Sequence, residues 1–271
     1  PDVMRRSGAI LREVGTTNKT YPSDFEEAIS PETALLLKVH TSNFRMVGFI
    51  AEVTLEELVG LGRRYSLPVM FDLGSGCFIE VGDEPTVPSA LRAGADLVTF
   101  SGDKMLGGPQ AGIILGKRDY VDAMKKNPLN RALRIDKLTL AALEATLRLY
   151  LEGDPRTRVP ILRMLTMDLG LIERRARRLK RLLLKVEGLK VKVRNDLSQV
   201  GGGALPLHNL PTFVVALASD RLSAQKMEEG LRSHEPPIIA RIHQDELLID
   251  LRCISNEEVP IIARALLSLH P

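Results

Sequence analysis

The sequence predicts an α/β protein with a mainly parallel sheet and flanking helices, followed by a small α+β domain. Two observations carry this prediction. In the first half, short apolar runs alternate with amphipathic stretches, a rhythm typical of strand-helix-strand units. A charged, proline-containing break at 153–160 then marks a domain boundary, and strand and helix patterns of a second domain follow it. We therefore expect two domains, at 1–153 and 154–271.

Apolar runs between turn signals predict the strands of the first domain. They cover residues 9–14, 35–39, 68–72, 96–100 and 111–115. Helical patterns separate most of these runs, which implies a mainly parallel sheet.

Capping signals indicate where helices begin and end. Thr54 followed by Glu57 has capping-box spacing, and Ser23 is a suitable N-cap for an earlier helix. Gly94 closes a short predicted helix, and a long apolar-rich helix is expected at 137–153.

An amphipathic helix opens the second domain. Its apolar positions recur at intervals of three and four: Ile172, Ala176, Leu179, Leu183 and Val186. Its other face is basic: Arg174, Arg175, Arg177, Arg178, Lys180 and Arg181. Because charged helix faces are common, a solvated surface is favoured over an RNA contact, which stays open as the alternative.

Strands and helices continue to the end of the second domain. The strands are predicted at 189–193, 212–218, 237–242 and 246–251, and the helices at 223–232 and 256–269. The loop at 201–203 is all glycine, which is too featureless to indicate a phosphate cradle.

Composition narrows the class of protein. The chain of 271 residues is 44% hydrophobic and 26% charged, typical of a globular protein. Its two cysteines suit a reducing compartment, so we expect the cytoplasm, and its apolar runs are too short to span a membrane. The net charge of +3 permits nucleic-acid contact without arguing for it. No His/Cys cluster in the sequence has metal-ligand spacing.

Three polar residues follow successive predicted strands. Asn43, Asp72 and Lys104 come at the strand ends in that order, about thirty residues apart, the length of one strand-helix-strand unit. In open α/β sheets, ligands bind beyond the carboxyl ends of strands. A pyridoxal phosphate site needs a lysine for the covalent link, a carboxylate at the ring nitrogen and a donor at the ring hydroxyl. The order therefore predicts such a site.

Each of these residues alone has an ordinary alternative. Lys104 resembles any solvated loop lysine, and an Asp at a strand end is more often a helix cap. A lysine desolvated at the end of a buried strand is, however, a good nucleophile. The combination of three groups in order carries the prediction.

Five motifs carry a resemblance to a known family: Arg12–Asn18, Val39–Asn43, Phe71–Gly76, Ser101–Gly112 and Arg131–Lys137. With them, most of the chain resembles bacterial selenocysteine synthase, the L-seryl-tRNA(Sec) selenium transferase of the fold-type-I pyridoxal phosphate class. The Ser-Gly-Asp-Lys and Arg-Ala-Leu-Arg blocks are the most specific parts.

The resemblance implies a reaction and residue roles. Seryl-tRNA(Sec) would become selenocysteinyl-tRNA(Sec) through an aminoacrylyl intermediate, with selenophosphate as donor. Lys104 and Asp72 would be catalytic and, with Asn43 and Ser101, would bind the cofactor. Arginine forks match phosphate, so the resemblance assigns the donor site to Arg131, Arg134 and Asp103. Salt bridging of the arginines with Asp136 is the alternative.

The resemblance also bears on domains and assembly. Residues 1–153 would be the carboxyl-terminal part of the cofactor-binding large domain, and 154–271 a small accessory domain. The family's tRNA-binding domain and phosphate loop would lie upstream, so we expect the isolated segment to be inactive. Family members form rings built of dimers, so a homo-oligomer without membrane association is expected.

Two other functions stay open. One is a different fold-type-I pyridoxal phosphate lyase, such as an ammonia-lyase relative; a desulfurase would need a mobile reactive cysteine, for which Cys77 is a poor candidate. The other is a non-catalytic module that docks RNA or assembles complexes through the basic helix. A binding module has no reason to keep the Asn43, Asp72, Lys104 order, which favours the enzyme.

Overall fold

The computed structural model describes residues 2–201 and 204–270. The chain divides into two compact units: Pro1–Pro155 with Gly201–Leu207, and Arg156–Val200 with His208–Pro271. Each unit has its own sheet and helices, and the predicted α/β class is confirmed. The assignment of the two parts as cofactor and accessory domains stays a prediction.

The first unit is built on a four-stranded sheet in the order β1-β2-β3-β4. Its strands are β1 (Leu36–Val39), β2 (Val69–Gly74), β3 (Leu97–Ser101) and β4 (Gly112–Gly116). The first three are parallel, and β4 runs antiparallel to β3. Because the parallel strands are adjacent, their carboxyl ends meet at one edge of the sheet.

Helices of the first unit connect and cover these strands. They are α1 (Asp2–Arg6), α2 (Pro22–Ala28), α3 (Leu55–Tyr65), α4 (Val87–Ala93), α5 (Arg118–Lys126), α6 (Leu129–Leu133) and α7 (Lys137–Leu151). Leu58 of α3 and Val87 of α4 share a buried core with Leu73 and Val98 from the sheet. This apolar burial is the main stabilisation of the unit.

Two predicted caps are confirmed and one is wrong. Thr54 Oγ1 accepts from the Glu57 N–H, while Glu57 Oε2 accepts from the Thr54 N–H at 2.8 Å, and Gly94 ends α4 at φ +98°. Ser23 is not the N-cap of α2. Proline occupies the first helical position, so the cap falls on Tyr21, whose N–H donates to the Asp24 carboxylate.

The strand predicted at 9–14 is also wrong. Residues 9–14 form no regular element in the described chain, and Ile10 is 94% exposed. A strand needs a partner for its backbone hydrogen bonds, and the only bridge nearby in the described chain joins Lys19 to Ala51. The alternating pattern therefore has no sheet to join.

The second unit is an antiparallel sheet covered by helices. Its strands run in the order β5-β6-β8-β7, and they are β5 (Leu189–Gln199), β6 (Asn209–Ser219), β7 (Arg241–His243) and β8 (Glu246–Asp250). The strand predicted at 237–242 is thus confined to its last residues. Of the predicted glycine loop, positions 202 and 203 lie outside the described residues.

Three long helices supply the core of the second unit. The remaining helices are α8 (Pro155–Arg158), α9 (Pro160–Leu165), α10 (Leu169–Leu183), α11 (Ala224–Arg232) and α12 (Val259–Leu269). Ile172 and Leu179 of α10 pack with Met227 of α11 and Ile262 of α12 against Leu217 of the sheet. The apolar face predicted for α10 is the buried one.

Candidate active site

Three of the predicted site residues, Asn43, Asp72 and Lys104, lie at the carboxyl edge of the parallel strands. Asp72 lies in β2, opposite Val39 of β1 on one side and Thr99 of β3 on the other. Asn43 follows β1 by a short turn, and Lys104 follows β3. The parallel order β1-β2-β3 is the reason that residues so far apart in sequence reach one edge.

Lys104 points back over the end of β2. A Cβ built on Gly74 would lie 3.8 Å from Lys104 Nζ and 3.4 Å from Ser42 Oγ. The amine is therefore close to the turns that follow both β1 and β2. Since Gly74 has φ +69°, glycine there both permits the turn and leaves space beside the amine.

The turn that carries Lys104 is anchored on both sides. The Met105 N–H donates to Ser75 O at 2.9 Å, and the Gly107 N–H donates to Lys104 O at 3.0 Å. Met105 and the following Leu106 are buried. Buried neighbours and backbone hydrogen bonds therefore fix the backbone from which the lysine projects.

The Asp72 side chain is held by a neighbouring strand. Thr99 Oγ1 donates to Asp72 Oδ1 at 2.9 Å, and the His40 N–H donates to the Asp72 carbonyl at 2.8 Å. The carboxylate is half-buried. A half-buried carboxylate with one fixed oxygen suits an interaction with a cationic ring nitrogen.

Close approach of backbone segments shapes the turn after β2. The ladder with β3 shifts register between Asp72 and Gly74. Two residues on, Gly76 has φ +68°, and a Cβ there would lie 2.6 Å from Ser101 O. No larger side chain fits, so this glycine sets how closely the β2 turn approaches the end of β3.

The glycine-rich loop after Lys104 folds on itself. The Gly102 N–H donates to Ala111 O, and the Gly108 N–H donates to Gly102 O at 2.8 Å. Tyr150 of α7 donates its hydroxyl to Leu106 O at 2.8 Å, and burial raises the pKa of that phenol. These contacts stabilise the turn that carries Lys104. The backbone N–H groups of Gly102 and Gly108 are occupied by hydrogen bonds within the loop.

The other predicted residues near this edge, Ser101, Asp103 and Asn43, differ in burial and in the hydrogen bonds that hold their side chains. Ser101 is half-buried at the end of β3, paired with Gly112. Asp103 and Asn43 are exposed on turns, and neither side chain makes a hydrogen bond to any residue that the structure describes. Their orientation toward Lys104 is therefore not fixed by contacts of this chain.

Arg131 and Arg134 make no hydrogen bond or ion pair with the described residues at the carboxyl edge of the sheet. Arg131 is in α6, but Arg134 is its C-cap with ψ 139°, so the shared helix face that a continuous helix would give is lost. Both are exposed, and neither pairs with an acid in the described chain. Asp136 instead caps α7 by accepting from Leu138 and Thr139, which argues against the salt-bridge alternative.

Sequence reasoning missed a buried acid near the site. Glu84 is 7% exposed, and its Oε1 lies 3.3 Å from His40 Nε2 without hydrogen-bond geometry. The fully buried Ser75 hydroxyl has no hydrogen-bond partner among the described residues. Glu84 lies in a loop without regular pattern, so only the folded chain brings it to His40.

Two further side chains, Cys77 and Arg252, are buried and held by contacts within their own units. Cys77 is buried, and desolvation, with the Glu84 charge adding to it, raises its thiol pKa to about 12. Arg252 is buried in the second unit, where it donates to Met164 O and Ser198 Oγ.

No group of three acids, histidines or cysteines in the described ranges could hold a metal. Across those ranges, too, every helix is too short or too polar to cross a membrane.

Comparison with known proteins gives consistent matches over nearly the whole chain. The family model described as SelA, L-seryl-tRNA selenium transferase, matches residues 1–255. The L-seryl-tRNA(Sec) selenium transferase of Aquifex aeolicus is 52% identical over 275 residues, covering 99% of this chain and 61% of the relative. That of Alkaliphilus metalliredigens is 54% identical, covering 98% and 58%. The chain thus spans about 60% of the length of these relatives.

A solved structure shares the fold. D-glucosaminate-6-phosphate ammonia-lyase aligns with a TM-score of 0.62 at 22% identity, over 99% of this chain and 67% of that one. At this identity the likeness shows the fold alone.

Proposed function

Because this chain belongs to the L-seryl-tRNA selenium transferase family, we propose that its protein converts seryl-tRNA(Sec) to selenocysteinyl-tRNA(Sec). Pyridoxal phosphate is the proposed cofactor and selenophosphate the proposed donor. The chain spans about 60% of its relatives, so the proposal concerns the whole protein. The observation that supports it most is the Lys104 amine 3.8 Å from the position of a Gly74 Cβ, at the carboxyl edge of the sheet.

The residues present fit the cofactor. The Lys104 amine lies beside the space that glycine leaves at position 74. The half-buried Asp72 carboxylate, held by Thr99, precedes this glycine by two residues in β2, and the exposed Asn43 follows β1 at the same edge. When bound, pyridoxal phosphate supplies an electron sink for negative charge at Cα of the substrate. In the proposal Lys104 binds the cofactor and carries the Cα proton, while Asp72 keeps the proton on the ring nitrogen.

Two further residues have binding roles in the proposal. Asn43 would donate to the ring hydroxyl, and the Ser101 hydroxyl would donate to the cofactor phosphate. Asn43 follows β1 and Ser101 ends β3, both at the carboxyl edge of the parallel strands, and neither side chain makes a hydrogen bond with another described residue.

The donor is assigned to Arg131, Arg134 and Asp103. Both guanidinium groups are exposed and unpaired among the described residues, so their forks are available for an oxyanion. Asp103 precedes Lys104 and is proposed to orient the arginines or the lysine.

We also propose a homo-oligomer built of dimers in the cytoplasm. Helix α7 has no buried residue, and apolar side chains of α6 and α7 are exposed: Leu129, Leu133, Leu138, Leu140 and Leu151. Exposed apolar clusters of this kind support an interface. Both cysteines are free, as in a reducing compartment.

The lysine assignment can be tested without an activity assay. The full-length protein loaded with pyridoxal phosphate is reduced with borohydride, digested and mapped. The label should be found on Lys104 and should disappear in Lys104→Ala. Lys38, which binds Val53 O and pairs with Glu52, is the matched control position. A label on Lys38 or any other lysine contradicts the assignment.

The donor assignment predicts a split between two half-reactions. A charge-assisted contact contributes about 1.5–3 kcal/mol, so Arg131→Ala or Arg134→Ala should slow selenium transfer by roughly one to two decades. Elimination of the seryl hydroxyl should change much less, and Lys should substitute poorly because it lacks the fork. Equal loss in both half-reactions would show that the arginines do not serve the donor.

A further inference from the structure

Helix α10 separates an apolar face from a strongly basic one. Ile172, Ala176, Leu179 and Leu183 are fully buried in the core of the second unit. We define the α10 basic face as Arg174, Arg175, Arg177, Arg178, Lys180 and Arg181. These six cations share the helix with one acid, Glu173.

The basic face lines a groove. The groove has a volume of ≈ 710 Å³ and is lined by all six cations with Leu171, Leu184 and Asn256. Arg175 donates to Ile254 O at 2.8 Å, and Arg178 donates to Asn256 O at 2.9 Å. Carbonyl groups therefore hold two of the guanidinium groups in place, so part of the charged wall is ordered before any ligand binds.

Glu257 and Glu258 lie near enough to Arg175 to offset part of its charge, and Glu257 also acts on Arg178, but few cations of this face form an ion pair within the described chain. Arg177 pairs with Glu173, whereas Arg174, Lys180 and Arg181 make no side-chain hydrogen bond or ion pair with any residue in the described ranges. Desolvation and the nearby Arg163 charge lower the pKa of Arg175. Like charges three or four positions apart destabilise a helix by a few tenths of a kcal/mol per pair.

Two other helices of the same chain pair an exposed arginine with acids on the same helix. On α7, Arg148 lies between Glu144 and Glu152 and contacts both. On α11, Arg232 pairs with Glu228. On these two helices the solvated arginines thus have acids at the i±4 positions. The α10 basic face lacks them, apart from Glu173, which is the pattern expected of a surface neutralised by an external polyanion.

We propose that the α10 basic face binds the phosphate backbone of the RNA substrate; this rests on the proposed function, in which that substrate is a charged tRNA. Arginine forks match phosphate oxygens in pairs. The groove lining includes no aromatic side chain among its described residues, so base stacking plays no part. The contact is therefore electrostatic, tolerant of sequence and sensitive to salt.

The test uses the three cations that have no partner. In the full-length protein, the triple variant Arg174→Gln, Lys180→Gln, Arg181→Gln removes charge without leaving an acid unpaired. The control triple Lys192→Gln, Lys226→Gln, Arg264→Gln removes the same charge from exposed positions elsewhere in the second unit. Thermal unfolding followed by circular dichroism verifies that both variants fold.

The measurement is the affinity for tRNA(Sec) as a function of salt. Each lost phosphate contact lowers the slope of log K against log[salt] by about 0.7–0.9. The α10 triple should therefore lose about 2 units of slope and bind about a hundredfold more weakly near 0.1 M salt, while the control triple keeps the slope of the wild type. Equal slopes for the two triples, or for the α10 triple and the wild type, overturn the proposal.

The same experiment separates this inference from the proposed function. Selenium transfer by the wild type tests the function, and the difference in slope between the triples tests the surface. If the wild type binds tRNA but transfers no selenium, a difference in slope still supports the RNA surface. If transfer occurs and the slopes agree, the function stands and the α10 basic face is not the contact.

Discussion

At the scale of single residues, Cys77 shows how burial decides reactivity. Its thiol is fully buried, donates to Ile79 O and has a pKa raised to about 12, first by desolvation. The reactive species of cysteine is the thiolate. At pH 8 only on the order of 10⁻⁴ of such a thiol is ionised, which argues against the desulfurase alternative.

We therefore predict that Cys77 is inert in the folded chain. In a Cys253→Ser variant, a thiol reagent at pH 8 should label Cys77 only after denaturant is added. Because the pKa is raised, reactivity should stay low up to about pH 11 for as long as the fold persists. Labelling of the native variant at the rate of a free thiol would contradict the prediction.

A second residue-scale prediction concerns Gly76. Because a Cβ there would lie 2.6 Å from Ser101 O at φ +68°, Gly76→Ala should lower the free energy of unfolding by roughly 1–3 kcal/mol. Gly60 in α3 is the control, because a Cβ added there would have no other atom within 4 Å. Gly60→Ala should therefore raise the free energy of unfolding by about 0.5–1 kcal/mol. Urea unfolding measures the stability of both variants, and equal changes in the two would contradict the steric explanation for Gly76.

At the scale of elements, helix α3 depends on its first turn. Thr54 and Glu57 satisfy each other's backbone donors, so Thr54→Ala should lower the free energy of unfolding by about 1 kcal/mol. Thr146 is the matched control because its hydroxyl donates to Ala142 O inside α7, where no terminal donor is lost. Thr146→Ala should change stability much less; urea midpoints for the two variants give the comparison.

Sequence patterns locate some helices and strands better than others. The strands β1, β2 and β3 and the buried face of α10 follow from apolar spacing, because burial imposes that spacing. The start of α2 was misassigned by two residues, since Pro22 moves the cap to Tyr21. Residues 9–14 alternate like a strand but have no partner strand, and pairing is a property of the fold.

At the scale of the whole molecule, stability should fall in acid. Hydrogen bonds lower the pKa of several carboxyls, among them Glu26 through Tyr65, Glu57 through the Thr54 backbone and Asp136 through Thr139. A lowered folded pKa stabilises the fold above the unfolded values of 4.5 and 3.8. The contribution is lost as the pH falls through the folded pKa.

The melting temperature should therefore be steady near pH 6 and decrease from about pH 5 toward pH 3. Circular dichroism at constant ionic strength measures it. Glu57→Gln, which cannot ionise at this position, should show a shallower decrease than the wild type. A melting temperature that rises on acidification is incompatible with the sign of these pKa changes.

Residue patterns along the chain were enough to predict the α/β class, most helices and strands, and the order of Asn43, Asp72 and Lys104, because periodicity and strand-end position are local properties. Tertiary structure decided the rest. The approach of the Lys104 amine to Gly74, the Thr99 hydrogen bond to Asp72 and the encounter of Glu84 with His40 all join segments distant in sequence. Such contacts depend on which strands lie side by side and in what register, and no local pattern of residues encodes that distance.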